Sequence, residues 1–406
     1  MTDVTPKEVA PAPAPETPEP SRTHSLLYRI AAGNALSGVL AVVLAFLVGS
    51  IMIAATDAGV RETAGYFFAR PTDFFGALGA AVGGAYEAMF RGAIFNARAS
   101  APAAQIRPLM ETLKYAAPLI LAGLGVGVGF RAALFNIGGR GQMLLAGAAA
   151  GWVGFAFNLP AFVHILLAIL VGVGVGALWG ALAGFLKART GAHEVIVTIM
   201  LNYVAYYLLL YALSRKFLLQ APGSNNPQSA PMAQSAILPK ILGDQYNLHL
   251  GFVIALVAVA AVWWLLNRST LGYRIKAVGL NPSAARAAGI SVGRTYTQVM
   301  AIAGGLVGLA GINQVLGTVT SGITADLDAG IGFDAITVAL LGRSKPVGIL
   351  LAGLLFGAFK AGGFTMQSSQ NISVDLVLVV QSLIVLFLAA PPLVRAIFRL
   401  PSKEAM

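Results

Sequence analysis

The sequence contains no cysteine, so a disulfide framework and a thiolate metal site are both excluded. Charged residues are also scarce. They make up 11% of the chain, whereas typical soluble domains contain about 25%. Because 57% of the residues are hydrophobic, the composition predicts an integral membrane protein of the all-α, polytopic class.

The sequence also lacks the short patterns of common enzymes. A phosphate-binding loop requires a Gly-Lys pair followed by Ser or Thr, and no Gly-Lys pair occurs in this chain. The His-Glu-x-x-His and Gly-x-Ser-x-Gly patterns are missing as well, and the histidines are scattered. We therefore expect no enzyme, no metal site and no cofactor. Any ATP hydrolysis would belong to a separate chain.

The net charge of +11 has two interpretations. In a soluble chain it would suggest nucleic-acid binding, but no module here combines aromatic and basic residues. Membrane proteins instead accumulate Lys and Arg in their cytoplasmic loops. We therefore expect contact with membrane lipid and no nucleic-acid partner.

Composition separates two regions of the chain. Residues 1–24 are rich in Pro, Ala and Glu, which predicts a disordered segment because it cannot bury a core. They lack the basic start and apolar stretch of a signal peptide, so we expect an uncleaved, cytoplasmic N-terminus. Residues 25–400 are expected to form the transmembrane domain.

About ten transmembrane helices are predicted, since a span needs roughly 20 mostly apolar residues. The candidate segments are Ala31–Ala55, Tyr115–Phe130, Gly141–Leu159, Ala161–Leu186, Val195–Ser214, Leu248–Leu266, Tyr296–Gly317, Gly332–Gly342, Val347–Gln367 and Ile372–Leu393. Tyr115–Phe130 and Gly332–Gly342 are short. The second covers about 12 Å between its charged ends, at 1.5 Å per residue, and is interpreted as a half-helix buried among the others.

Ten spans place both termini on one side of the membrane, and the basic loops make that side the cytoplasm. The loop Ala221–Gly243 then lies outside. Residues 57–110 are also expected to be extracytoplasmic, although they include five arginines. Long loops follow the charge rule poorly, and we expect Phe74–Phe95 to lie along the outer interface.

Residues 268–295 form a basic loop between two spans, with no acidic residue. Its bases are Arg268, Arg274, Lys276, Arg286 and Arg294. Asn281 is a good N-cap, Pro282 suits the first helical position and Gly289 suits the residue past the helix end. Alanines such as Ala285 favour helix but bury little surface. So small a cytoplasmic helix indicates a partner, and an ATPase is the obvious candidate.

A polar, glycine-rich interruption follows the apolar stretch that ends near Phe130. Asn136 and Gln142 flank this interruption. One interpretation is a plain interfacial turn. The other is a broken helix facing a central pathway, with Asn136 and Gln142 supplying donors and acceptors.

Other polar residues mark later spans. Glu194 begins one span and Asn202 lies two turns on, near the same face. They could stabilise the helix end and bond to a neighbouring helix, or line a pathway. Asp334 heads the short Gly332–Gly342 segment. Lys360 and Asp375 lie within the last two spans, which indicates either a structural pair or a pathway.

Four segments in order carry a family resemblance: FNIG with a following GQ, HEVI.T.MLNY, G.NP.AAR.AGI and GFDAI.VALLGR. On these segments the chain resembles permease subunits of bacterial ABC importers. It is most similar to the nucleoside and simple-sugar branch of the family that includes ribose and branched-chain amino-acid permeases. The resemblance covers Glu111 to Leu393.

The resemblance implies an ABC importer permease fold in the bacterial cytoplasmic membrane. It implies a second permease (a copy or a paralogue), cytoplasmic ABC ATPase subunits and an extracytoplasmic substrate-binding protein. Residues Asn281, Pro282, Ala285, Arg286 and Gly289 would then belong to the segment that couples to the ATPase. The pathway residues would be Asn136, Gln142, Glu194, Asn202 and Asp334.

Three functions remain in competition. The first is ATP-driven import of nucleosides or related sugars. The second is the same machinery carrying simple sugars or branched-chain amino acids. The third is a secondary transporter that uses Glu194, Asp334, Lys360 or Asp375 as an ion site. The short cytoplasmic helix would have no evident role in the third.

Overall fold

The computed structural model describes residues 34–370 and 372–399, and these residues are mainly helical. In chain order the α-helices are α1 (Asn34–Thr56), α2 (Ala58–Ala64), α3 (Pro71–Ala93), α4 (Pro102–Arg131), α5 (Gly139–Ala156), α6 (Ala161–Thr190), α7 (Glu194–Leu213), α8 (Gly251–Arg268), α9 (Thr270–Leu280), α10 (Pro282–Ala287), α11 (Val292–Asn313), α12 (Ile331–Leu341), α13 (Pro346–Gln370), α14 (Val374–Ala389) and α15 (Pro391–Ile397). A π-helical turn, Gln314–Thr318, continues α11. The predicted disordered segment, residues 1–24, lies outside the described residues.

Seven helices of the described ranges are long and apolar enough to cross a membrane. They are α1, α4, α6, α7, α8, α13, and α11 with its π-helical extension. Shorter apolar helices occur in α12 and α14. The predicted all-α polytopic fold with short and broken helices is therefore confirmed.

Two predicted segments differ from the observed helices. The segment Tyr115–Phe130 is not short, because α4 begins at Pro102 and contains Pro108 and Pro118 without ending. Packing against α13 and α11 supports this helix along its length. The helix α3 packs its C-terminal half on α13, so that half belongs to the bundle and not to a surface position.

The helices α6 and α11 form the tightest contact in the bundle. They run antiparallel, with Gly184 against Tyr296 and Gly180 against Met300. A Cβ atom at Gly180 would lie 2.2 Å from the Met300 carbonyl oxygen. Small residues allow such approach where lipid supplies no hydrophobic drive between helices. The pair therefore depends on glycine at these positions.

We expect Gly180→Ala to lower the stability of the protein by roughly 1–3 kcal/mol, because the added methyl group has no space. Gly174→Ala on the same helix is the matched control, since nothing lies within 4 Å of a Cβ atom there. Thermal unfolding of the detergent-solubilised protein measures both. Equal unfolding temperatures for the two variants would contradict this packing.

Two helices begin inside the bundle and run in opposite directions. The helix α5 starts at Gly139, and α12 starts one residue before Gly332, where both glycines are buried. A Cβ atom at Gly332 would lie 2.6 Å from the Arg140 Cα atom, so the two starting turns touch. From there α5 extends toward Met232, whereas α12 ends beside Arg131. The predicted half-helix at Gly332–Gly342 is confirmed as α12.

Candidate translocation site and coupling segment

One face of α7 holds the irregular segment between α4 and α5. Glu194, Thr198 and Asn202 are spaced by four residues and therefore share that face. The Asn202 side chain accepts from the Gly141 N–H at 2.8 Å and donates to the Ile137 carbonyl at 2.9 Å. The Thr198 hydroxyl accepts from the Ile137 N–H at 3.3 Å. These bonds replace the ones that a continuous helix would have made.

The carboxylate of Glu194 completes this row. One oxygen accepts from Lys187 Nζ at 2.6 Å, and the other accepts from the Phe135 N–H at 3.4 Å. The bonds of Glu194 and Asn202 therefore agree with the interpretation in which these residues stabilise a helix end and bond to neighbouring segments. Thr198 was missed, although its place midway between two polar residues on one helical face would have identified it.

The side chains of Asn136 and Gln142 do not face open space. Both are buried, at 0% and 1% exposure. Their amides bond to each other at 3.2 and 3.3 Å, and the Asn136 oxygen also accepts from the Gly138 N–H. In this structure these groups are engaged within the protein, and their role in a pathway stays a prediction.

Ionisable side chains converge where α5 and α12 begin, and these two helices, which both start inside the bundle, are called the half-helices below. Arg140 donates through Nε to Asp328 at 3.3 Å, and its guanidinium lies 5.0 Å from the centre of the Tyr206 ring. Within the described residues its other two nitrogen atoms make no hydrogen bond. Neither Arg140 nor Asp328 was identified from the sequence, since 188 positions separate them.

A second pair of charges lies beside the first. Lys360 donates to the Ala329 carbonyl at 3.1 Å and interacts electrostatically with Asp334 and Asp328. Lys360 and Asp375 were interpreted as either a structural pair or pathway residues, and no ion pair joins them in the described residues, where Asp375 accepts from its neighbour Ser373. Asp334 thus lies at the convergence of the half-helices, as one of four ionisable groups with no net charge.

The starting turns of the half-helices are alike in sequence and in bonding. Asn136 precedes Gly138 by two residues and Gln142 by six, and Asp328 has the same spacing to Gly330 and Asp334. In each turn the first side chain interacts with the N–H of the glycine. Because the helices then diverge, the two turns form an inverted pair.

The opposite face of α7 carries three tyrosines. Tyr203, Tyr207 and Tyr211 follow at intervals of four residues and are 57%, 63% and 50% exposed. No hydrogen bond of their hydroxyls occurs within the described residues. Tyr206 lies between the two faces, with its ring 5.4 Å from that of Tyr207. Tyr206 therefore connects Arg140 to Tyr207, the middle tyrosine of the row.

The loop between α8 and α11 contains the predicted capped helix. The Asn281 oxygen accepts from the N–H groups of Ser283 and Ala284 at 2.9 and 3.0 Å, and Pro282 is the first residue of α10. Gly289 has φ of +79°, a left-handed conformation that favours glycine. The predicted cap and end signal are confirmed as local structure.

The side chains of this loop have different surroundings. Ala285 is 4% exposed and packs with Val278 and Val292, so it does not face a partner, contrary to expectation. Arg286 is exposed, with no ion pair among the described residues. A Cβ atom at Gly279 would lie 2.2 Å from the carbonyl oxygen of the last residue of α4, so α9 presses on the end of α4.

Comparison with known proteins identifies the chain. Residues 109–389 match the family described as branched-chain amino acid transport system, permease component. The chain belongs to this permease family. The permease is 38% identical to the guanosine ABC transporter permease of Bacillus subtilis, over 78% of this chain and 88% of the relative.

Two further relatives extend the comparison. The nucleoside ABC transporter permease of Lactococcus lactis is 34% identical, over 79% of the permease and 86% of the relative. The glucose ABC transporter permease of Haloferax volcanii is 36% identical, over 69% and 75%. Together with its apolar helices, this membership makes the permease a multi-pass membrane protein.

We expect Asn202→Leu to destabilise the permease by roughly 2–4 kcal/mol, because it leaves one buried N–H and one buried carbonyl without partners. Met200→Leu on the same helix is the control, since Met200 is 53% exposed. The thermal unfolding temperature and the abundance in the membrane measure the effect. An Asn202→Leu variant as stable as the control would show that α7 does not hold the segment.

Proposed function

We propose that the permease is the membrane-spanning subunit of an ABC importer that takes up nucleosides. The main support for this proposal is the 38% identity to a guanosine ABC transporter permease across 88% of that relative. The glucose ABC transporter permease, at 36% identity, supports simple sugars as the second candidate substrate class. The two classes share a ring with several hydroxyl groups.

The proposal includes an orientation and a set of partners. The basic loop that contains α10 lies in the cytoplasm of a bacterium, both termini lie on that side, and cytoplasmic ABC ATPase subunits bind there. A substrate-binding protein delivers substrate at the opposite face. The second permease of the transporter is a paralogue. In support, Bacillus subtilis has two guanosine ABC transporter permeases, which are 38% and 27% identical to this chain.

The segment that couples to the ATPase is α10 with its cap. Asn281, Pro282 and Gly289 fix its shape, Ala285 anchors it from within, and Arg286 meets an acidic group of the ATPase. Its exposure and lack of an internal partner in the described chain support this role for Arg286.

A continuous set of contacts leads from this segment to the half-helices. The helix α9 presses on the end of α4 at Gly279. There Arg131 donates through Nε to the Ser344 carbonyl at 2.9 Å. Ser344 follows the end of α12, whose other end lies at the convergence of charges. Displacement of α10 therefore reaches the starting turns of α5 and α12.

The substrate pathway runs along the tyrosine face of α7 and past Arg140. A tyrosine hydroxyl in the hydrocarbon core would have no hydrogen-bond partner, which disfavours lipid as the neighbour of Tyr203 and Tyr207. Aromatic rings offer stacking surfaces to a nucleobase, and Arg140 offers donors. Glu194, Asn202, Asn136 and Gln142 act behind this surface as positioning residues.

The charges near the pathway argue against an ion-coupled transporter. A proton or sodium site needs a carboxylate that is not already neutralised. Here Asp328 forms an ion pair with Arg140, and Lys360 interacts electrostatically with Asp334 without an ion-pair contact. The Arg140–Asp328 pair instead holds the starts of α5 and α12 together, and energy comes from ATP bound by the partner subunits.

The experiment that tests the proposed function is uptake of radiolabelled guanosine, uridine, glucose and leucine by cells that lack this chain. We expect these cells to lose the uptake of both nucleosides, because nucleoside import requires this permease. The uptake of glucose and leucine should stay unchanged. Re-expression of the chain should restore the uptake. Loss of glucose alone would favour the sugar alternative, and unchanged uptake of all four compounds would overturn the proposal.

Charge reversal at Arg286 tests coupling. We expect Arg286→Glu to reduce nucleoside uptake about tenfold or more, the value of about 1.4 kcal/mol of lost interaction with the ATPase. Arg274→Glu changes the net charge equally at another exposed position of the same loop and serves as the control. If both variants lose uptake equally, the loop contributes only through its overall charge.

A further inference from the structure

A polar cavity lies at the opposite end of the bundle from α10. Its volume is about 370 Å³, and its wall combines the π-helical turn after α11, the connection between α7 and α8, and one turn of α4. The polar residues that line it include Lys114, Gln234, Asn247, His249 and Thr318. A volume of this order holds a small organic molecule.

His249 contributes a buried donor that has no partner. Its side chain is 2% exposed, and Nδ1 accepts from the Gly251 N–H at 3.2 Å. Burial, followed by the nearby Lys114 ammonium, lowers the pKa of His249 to about 4, so the ring is neutral near pH 7. A neutral ring that accepts at Nδ1 carries its proton on Nε2. That Nε2 atom has no partner within the described residues.

Two neighbouring side chains are also unpaired. The Thr318 hydroxyl is buried without a hydrogen bond, and so are both amide atoms of Asn313 in the described structure. Gly317 brings the π-helical turn against the histidine ring, since a Cβ atom there would lie 2.3 Å from the His249 Cε1 atom. Buried polar atoms are normally paired, and such unpaired groups require a ligand or water. π-Helical turns are frequent at functional sites.

The chemistry of the cavity favours a neutral, hydroxylated ligand over an anion. The unpaired atoms of the lining residues are the His249 Nε2 donor and the Thr318 hydroxyl, which can both donate and accept, so they suit the hydroxyl and carbonyl groups of a neutral ligand. The charge of Lys114 is balanced by Glu111, which also accepts from Asn247 at 2.7 Å. Lys240, the other lysine of the lining, donates to the Asp244 carbonyl at 3.1 Å.

We propose that this cavity is an entry subsite that binds the nucleoside through its hydroxyl and carbonyl groups before it reaches the pathway beside Arg140. The assignment rests on the proposed nucleoside import. His249 Nε2 and the Thr318 hydroxyl bind the substrate directly. Gly317 is required for the close approach of the histidine ring.

The test uses Thr318→Val and His249→Phe, expressed in cells that lack the native chain. Thr318→Val removes a buried hydroxyl that has no hydrogen-bond partner among the described residues, so its stability should stay equal or rise. His249→Phe also removes the acceptor of the Gly251 N–H, so its stability should fall modestly. We expect each to raise the KM for guanosine uptake about threefold to tenfold, the contribution of one hydrogen bond. An unchanged KM in both variants, with stability retained, would mean that only water occupies the cavity and would overturn the subsite.

His164 provides a matched control. It is also a buried histidine, but both of its ring nitrogens have partners, Ser235 at 2.8 Å and the Val153 carbonyl at 2.9 Å. His164→Phe should therefore lower the unfolding temperature and leave the KM of the surviving protein unchanged. Should His249→Phe fail to fold, the isosteric Thr318→Val still decides the question.

Failure of the subsite differs from failure of the proposed function. If cells with the native chain do not import guanosine better than cells without it, nucleoside import itself is wrong. If cells with the native chain do import guanosine better, and the Thr318→Val variant imports it with the native KM, the proposed nucleoside import is supported and the proposed subsite is overturned. Comparing guanosine with 2′-deoxyguanosine identifies the contact, since loss of a hydroxyl bond at Thr318 would make the two substrates more alike.

Discussion

The rest of the structure depends on the satisfaction of backbone hydrogen bonds where the chain is irregular inside the bundle. The hydrocarbon core offers no water, so an interrupted helix there survives only if side chains supply the missing partners. Thr198 and Asn202 supply them for the turn before α5. Without this row on α7, neither the position of α5 nor the meeting of α5 and α12 would be defined.

The starting turns of α5 and α12 share one arrangement, in which a polar side chain lies two residues before a glycine. Asn136 accepts from the N–H of Gly138, two residues later, and Asp328 interacts electrostatically with the N–H of Gly330 at the same spacing. The first turn is neutral and closes on itself through Gln142. The second carries a charge that Arg140 neutralises across the convergence. This difference makes one turn internally complete and the other dependent on its counterpart, so the two half-helices are held together by an ion pair and not by two independent turns.

Local signals in the sequence predicted local structure well. The cap at Asn281, the positive φ of Gly289 and the limited length of α12 all follow from a few adjacent residues. The sequence did not predict the features that depend on contacts between distant segments. Proline usually ends a helix, yet packing carries α4 through Pro108 and Pro118. The pairing of Arg140 with Asp328 depends on two turns that lie far apart in the chain, and no spacing rule connects them.

The glycine contact between α6 and α11 has a mechanical consequence. Helices whose backbones touch at Gly180 and Gly184 cannot slide past one another without a clash, so the pair must move as a single rigid body. The first residue of α11, Val292, packs directly on Ala285 of α10, the proposed coupling segment. A displacement of α10 is therefore transmitted to the α6–α11 pair. Because this pair moves without bending, any bending must take place in other parts of the bundle. We expect this bending at the turns before α5 and α12, because these turns lie outside regular helix.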